Sequence, residues 1–105
     1  MIAHVRLYKI SESISDERID ELMRHARSQL LKIGEVLYIR SGKRVSETNA
    51  WEFFIYLEYQ NLNKMRICHD DPIFLKFLHD HVTPNIAAEQ EFTYELEPGK
   101  DTKYS

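Results

Sequence analysis

Trp51-Glu52-Phe53-Phe54-Ile55-Tyr56-Leu57-Glu58-Tyr59 is a strand-like run with large apolar or aromatic groups on both of its faces. A β-strand sends successive side chains to opposite sides, so Phe53, Ile55 and Leu57 share one face while Phe54 and Tyr56 share the other. Both faces need cover. The rest of the sequence supplies helices for a single layer, which covers one of them. The second face is therefore expected to close against another copy of the same chain.

On the N-terminal side of this run, Ile2 to Ile10 reads as a first strand. Ile19, Leu22, Met23, Ala26, Leu30 and Ile33 recur at spacings of three and four, which places them on one face of a helix. Ser15 suits its N-cap, Asp16 and Glu17 suit the positive end of the helix dipole, and Ile14 can staple to Ile19. Lys32 and Gly34 are read as its last turn and left-handed stop. Val36 to Val45 reads as a second strand, with Gly42 marking a bulge or bend.

On the C-terminal side, Asn61 can cap a short helix carrying Leu62, Met65 and Cys68. Asp71-Pro72 is an N-cap followed by proline at the first helical position, and Phe74, Phe77, Leu78 and Val82 continue at helical spacing until Pro84. Ala87 to Leu96 is the last strand. One domain is expected over residues 1–97, with a polar tail over 98–105. The order βαββαβ is the ferredoxin-like α+β arrangement, an antiparallel sheet with its helices on one face.

Composition bounds the function. At 105 residues, 43% hydrophobic and 30% charged, the chain is an ordinary globular domain whose small core gains from oligomerisation. A formal charge of −3 gives no basic footprint for nucleic acid or anionic membranes, and the aromatic consensus of RNA-binding sheets is absent. No stretch approaches the ~18 apolar residues of a membrane span, and the start lacks the layout of a signal peptide. The single cysteine, Cys68, suits a reducing compartment, and the cytoplasm is the expected location.

The histidine-acid clusters read as solvated surface. His79 and His81 point about 200° apart on a helix and would not converge on one ion. His69-Asp70-Asp71 reads as a solvated helix start, and His25, among Arg24, Arg27 and Ser28, as a surface histidine. No metal and no organic cofactor is indicated. Cys68 has no base beside it in sequence and reads as a small buried hydrophobe.

Three stretches together resemble a known family: His4-Val5-Arg6-Leu7-Tyr8-Lys9-Ile10, Ser41-Gly42-Lys43-Arg44-Val45-Ser46, and Tyr59 through Asp71-Pro72-Ile73-Phe74-Leu75-Lys76-Phe77. The chain resembles the dimeric α+β barrel superfamily over nearly its whole length. The likeness is chiefly to the stress-responsive A/B barrel (Dabb-like) domains and, at greater distance, to the antibiotic-biosynthesis monooxygenases. The resemblance implies a homodimer whose sheets pack face to face into a barrel, with a ligand pocket in each subunit between sheet and helices. Family members include polyketide cyclases and cofactor-free monooxygenases, and fold alone does not select among them.

Cyclase-type members carry histidine, proline, any residue and a second, basic histidine where this chain has Asp71, Pro72, Ile73 and Phe74. Phenylalanine cannot take a proton. The tyrosine that accompanies that base falls on Cys68, and only His4 keeps a polar, pocket-facing match.

The resemblance turns His4, Arg6 and Tyr8 toward the pocket, although parity alone leaves Val5 and Leu7 as the alternative. An arginine in an apolar cavity needs a partner, and its planar fork suits a carboxylate or phosphate. Arg6 is thus a candidate anchor for the acidic group of a small apolar or aromatic ligand, with Met23, Ile55, Cys68 and Phe74 around it. The competing expectation is an internal partner such as Glu52 or Glu58, or a place in water at a strand edge. Three functions remain open: small-molecule binding, cofactor-independent catalysis on an aromatic or polyketide-type substrate with His4 or Tyr8 assisting proton transfer, and a structural or oligomerisation module.

Overall fold

The computed structural model describes residues 1–99, arranged as β1 (Ile2–Ile10), α1 (Asp16–Leu30), β2 (Tyr38–Lys43), β3 (Phe53–Tyr59), α2 (Leu62–His69), α3 (Pro72–Phe77) and β4 (Ile86–Glu95). The strands form one antiparallel sheet in the order β2-β3-β1-β4. This is the expected ferredoxin-like arrangement, with its second helical region divided into α2, α3 and two short turns. No helix among the described residues is long and apolar enough to cross a membrane.

The two faces of β3 separate cleanly. Phe53, Ile55, Leu57 and Tyr59 are buried, whereas Phe54, Tyr56 and Glu58 are partly buried. Directly paired residues of neighbouring strands share a face. In β1, His4 pairs with Leu57 and Arg6 with Ile55, so both belong to the buried face, as does Tyr8 opposite Phe53. Val5 and Leu7 pair with Tyr56 and Phe54 and belong to the face without helices. The buried face of β1 is thus that of His4, Arg6 and Tyr8.

Helix α1 begins as its sequence indicates, with Ser15 Oγ accepting the Arg18 N–H at 3.3 Å. It buries Ile19, Leu22, Ala26 and Leu30, each large aliphatic side chain contributing about 1.5–3 kcal/mol. It stops at Leu30, short of the expected Lys32-Gly34 terminus. The chain tightens there into three-residue turns, with the Ile33 N–H donating to the Leu30 carbonyl at 3.2 Å, and Ile33 and Val36 are buried. No non-glycine or glycine residue among those described has a positive φ, so Gly34 is not a left-handed stop.

β2 is shorter than the 36–45 span. Leu37 and Arg44 still donate single backbone bonds to Glu58 and Glu52, but Val45 is fully exposed. Nor does Gly42 mark a bulge, since the register from Tyr38 opposite Glu58 to Lys43 opposite Phe53 is unbroken. Its reason is proximity: a Cβ at Gly42 would lie 2.6 Å from the Phe54 ring.

Asn61 and Asp71 cap α2 and α3, accepting the Lys64 and Ile73 N–H groups at 2.9 and 2.8 Å. The helix expected to run to Pro84 changes after Phe77 into a π-turn (Leu78–Val82) and a 3₁₀ turn (Thr83–Asn85). Buried Asn85 holds this junction: its Nδ2 donates to the His81 carbonyl at 2.6 Å and its carbonyl accepts the Ser11 N–H at 3.0 Å. β4 then runs along the outer side of β1. Of the expected tail, residues 100–105 lie outside the described residues.

Candidate functional site

The buried face of the sheet changes character from one strand to the next. On β3 it is apolar, with Phe53, Ile55, Leu57 and Tyr59. On β1, three alternating positions instead present His4, Arg6 and Tyr8, exposed by only 3%, 6% and 0%. Strand periodicity is what brings these three groups into one row.

Arg6 lies between Ile55 of β3 and Glu91 of β4. Its Nη1 donates to Glu91 Oε1 at 2.8 Å and its Nε to the Tyr8 hydroxyl at 2.7 Å. Its Cζ sits 5.4 Å from the centre of the Phe74 ring, within cation-π range. The internal partner of Arg6 is therefore Glu91, not Glu52 or Glu58. Glu58 is on the opposite face of the sheet, and the Glu52 carboxylate accepts the Ile10 N–H.

His4 joins the same carboxylate. Its Nε2 is 3.1 Å from Glu91 Oε1 and its Nδ1 is 2.9 Å from Thr93 Oγ1. An ionised carboxylate only accepts, so His4 presents Nε2–H to Glu91, and the Thr93 hydroxyl donates to Nδ1. The 3.3 Å approach of Arg6 Nη1 to His4 Nε2 is then the crowding of two donors on one oxygen. Burial, with the His69 ring and Arg6 adding to it, lowers the His4 pKa from 6.5 to about 4 against the pull of Glu91, so the ring is neutral at pH 7. Burial likewise raises the Tyr8 phenol to about 12, opposed by Arg6.

The helices complete the site. His69, at the end of α2, meets His4 edge-on at 4.7 Å between ring centres and stacks on Phe74 at 5.0 Å. Tyr59 approaches the same ring edge-on at 6.2 Å. The Nε2 of His69 is buried without a hydrogen-bond partner among the described residues, and burial also lowers its pKa. His69 is thus a member of the site and not a solvated helix start. The sequence signal for it was available in principle, because Cys68 and His69 end a helix that Asn61 starts, and one turn must face the sheet.

The remaining expected residues fall in different places. Phe74 and Ile55 adjoin Arg6. Cys68 is buried one step further in, its Sγ accepting the Tyr59 hydroxyl at 3.2 Å, and burial pushes both the thiol and that phenol up. Met23 is not with them. It lines an open cleft of ≈ 610 Å³ between α1 and β2, together with Arg24, Arg27 and Ile39. His81 and His25, expected at the surface, are partly buried and stack at 4.2 Å, while His79 is exposed and bonded to Asp80.

The arrangement is a polar network with an aromatic roof. Glu91, with a side chain 43% exposed, and Thr93 are its members open to solvent. It can hold a neutral histidine in one tautomer, fix a guanidinium in one orientation, and present a second histidine nitrogen in need of a partner.

No protein-family model and no curated protein matches the sequence. Solved structures do match. A dabb family protein with a ferredoxin-like fold from Mesorhizobium loti superimposes with a TM-score of 0.79 at 17% identity, over 91% of this chain and 96% of that one. A dimeric ferredoxin-like protein of unknown function from Thermobifida fusca gives 0.80 at 15% identity over 90% of each chain. A hydroxynitrile lyase from Passiflora edulis gives 0.80 at 10% identity over 94% and 95%. The chain therefore has the ferredoxin-like fold that these proteins share.

Proposed function

We propose that this protein is a homodimer that binds a small, largely apolar or aromatic molecule with one hydrogen-bonding group, held between the sheet and α2–α3. The observation that carries the reading is the buried Nε2 of His69, which has no partner among the described residues. Such an atom costs about 1–3 kcal/mol until something bonds to it. The rings of Phe74, Tyr59 and His4 around it favour an apolar or aromatic neighbour, and an oxygen on that neighbour would complete the nitrogen.

Binding is put ahead of catalysis because the two groups best placed on β1 to move a proton are already committed. Both ring nitrogens of His4 are engaged, and Tyr8 receives a hydrogen bond from Arg6 while its phenol is held near about 12.

Self-association is supported by the uncovered face of the sheet. Val5, Leu7, Phe54 and Tyr56 lie there partly buried, flanked by Phe92 and Tyr94 at 39% and 56% exposure. The Thermobifida fusca protein of the same fold is dimeric. The lone buried Cys68 fits a reducing compartment such as the cytoplasm.

Native mass spectrometry tests both parts. The expected result is a dimer carrying one small molecule per subunit, lost on His69→Phe. A folded monomer at micromolar concentration would sink the dimer. A dimer that arrives empty and binds no member of a panel of aromatic and aliphatic alcohols and acids would sink the ligand.

A further inference from the structure

We infer that the position held by the Glu91 carboxylate is a recognition seat for a monocarboxylate, and that Glu91 is the resident acid which such a ligand displaces. The inference rests on the ligand-binding reading above and names the class of ligand and the residue that controls its entry.

The donors are fixed and the acceptor is not. Arg6 and His4 converge on one oxygen of Glu91, at 2.8 and 3.1 Å. Arg6 is held from two further directions, by the Tyr8 hydroxyl on Nε and by the Phe74 ring against Cζ. His4 is held by Thr93 on its other nitrogen. Glu91 reaches the donors from β4, the outer strand, on a flexible side chain 43% exposed to water. When its carboxylate swings outward, it is solvated at once, whereas the buried guanidinium left behind needs another acid.

Charge sets the class. His4 is neutral, so the seat holds one positive charge, and one carboxylate balances it. A dianion would leave a charge unpaired in a buried place, and a neutral alcohol would leave Arg6 uncompensated. The rings of Phe74 and His69 beside the seat suit an apolar tail. Because Glu91 is tethered, it competes at an effective concentration of roughly the millimolar order, which weakens ligand acids in the intact protein.

The test uses sodium hexanoate as probe, with hexanol and sodium chloride as controls, and the thermal midpoint as readout in the wild type, Glu91→Ala and Glu91→Gln. Hexanoate is expected to stabilise Glu91→Ala with an apparent affinity about tenfold or more above wild type, the loss of a tethered charged competitor being of that size. Adding Arg6→Gln should abolish the gain. Should Glu91→Ala fail to fold, Glu91→Gln keeps the shape without the charge and should show the same order of response. Equal responses to hexanoate and chloride in both Glu91 variants would overturn the inference, as would a wild type that responds as strongly as they do. Stabilisation of Glu91→Ala by acetate but not by hexanoate or any longer acid would keep the seat and remove the apolar ligand of the preceding reading.

Discussion

The ring of His69 lies stacked on that of Phe74, 5.0 Å between centres and 19° from parallel, while its Nε2 has no hydrogen-bond partner among the described residues. The aromatic contact is favourable and the orphaned nitrogen is not. His69→Phe keeps the first and removes the second. Compared with wild type stripped of ligand, the variant should gain about 1 kcal/mol in urea denaturation, at the low end of the cost of an unsatisfied buried group. A variant less stable than stripped wild type would show that Nε2 is satisfied without a ligand.

Acid should weaken the fold through His4. Its folded pKa is depressed from 6.5 to about 4, chiefly by burial. Between those values the unfolded chain takes up a proton that the folded chain refuses, so this contribution is whole above the unfolded value and is lost as pH falls toward 4. The loss is on the order of 3 kcal/mol. Burial lowers His69 in the same sense. Stability measured across this range should fall less steeply for His4→Gln; identical slopes would contradict the assignment.

Gly42 and Phe54 would couple the fold to the proposed pairing. A methyl group at Gly42 would sit 2.6 Å from the Phe54 ring, which must then turn out of its place on the uncovered face. Gly42→Ala should cost about 1 kcal/mol in the fold, as modest overpacking does. Dimerisation should weaken more than folding. Sedimentation velocity reads the second effect, and an unchanged dimer constant would separate Phe54 from the interface.

Cys68 should be inert in the native protein. It is fully buried, accepts a hydrogen bond from Tyr59, and burial raises its pKa, so little thiolate is present or reachable. Alkylation should follow global unfolding in urea. Rapid labelling in buffer would place the thiol in an accessible pocket.

The division between what could and could not be read from the residues follows the range of the forces involved. Apolar periodicity and caps are local, which is why Ser15, Asn61, Asp71 and the two-faced β3 could be read directly. The end of α1 and the π-turn after Phe77 depend on where Ile33 and Asn85 pack, and no local rule contains that. Arg6 was legible as an arginine in need of a partner. Glu91 was not legible as that partner, because the pair is made by sheet register between the first and last strands. His69 was missed because its two acidic neighbours in sequence resemble a solvated turn, whereas its neighbours in space are rings.

The register of β1 also has a temporal meaning. Arg6 and Glu91 are 85 positions apart, and the Leu96 N–H closes the same pair of strands on the Met1 carbonyl at 2.9 Å. As the chain emerges from the ribosome, β1 comes first and the strand that neutralises its arginine comes last. Until then the sheet has β1 as a raw edge, with a cation on the side meant for the core. Completion of the sheet is thereby deferred until β4 has emerged, and nascent chains halted before Ile86 should remain open to protease while chains that include β4 close.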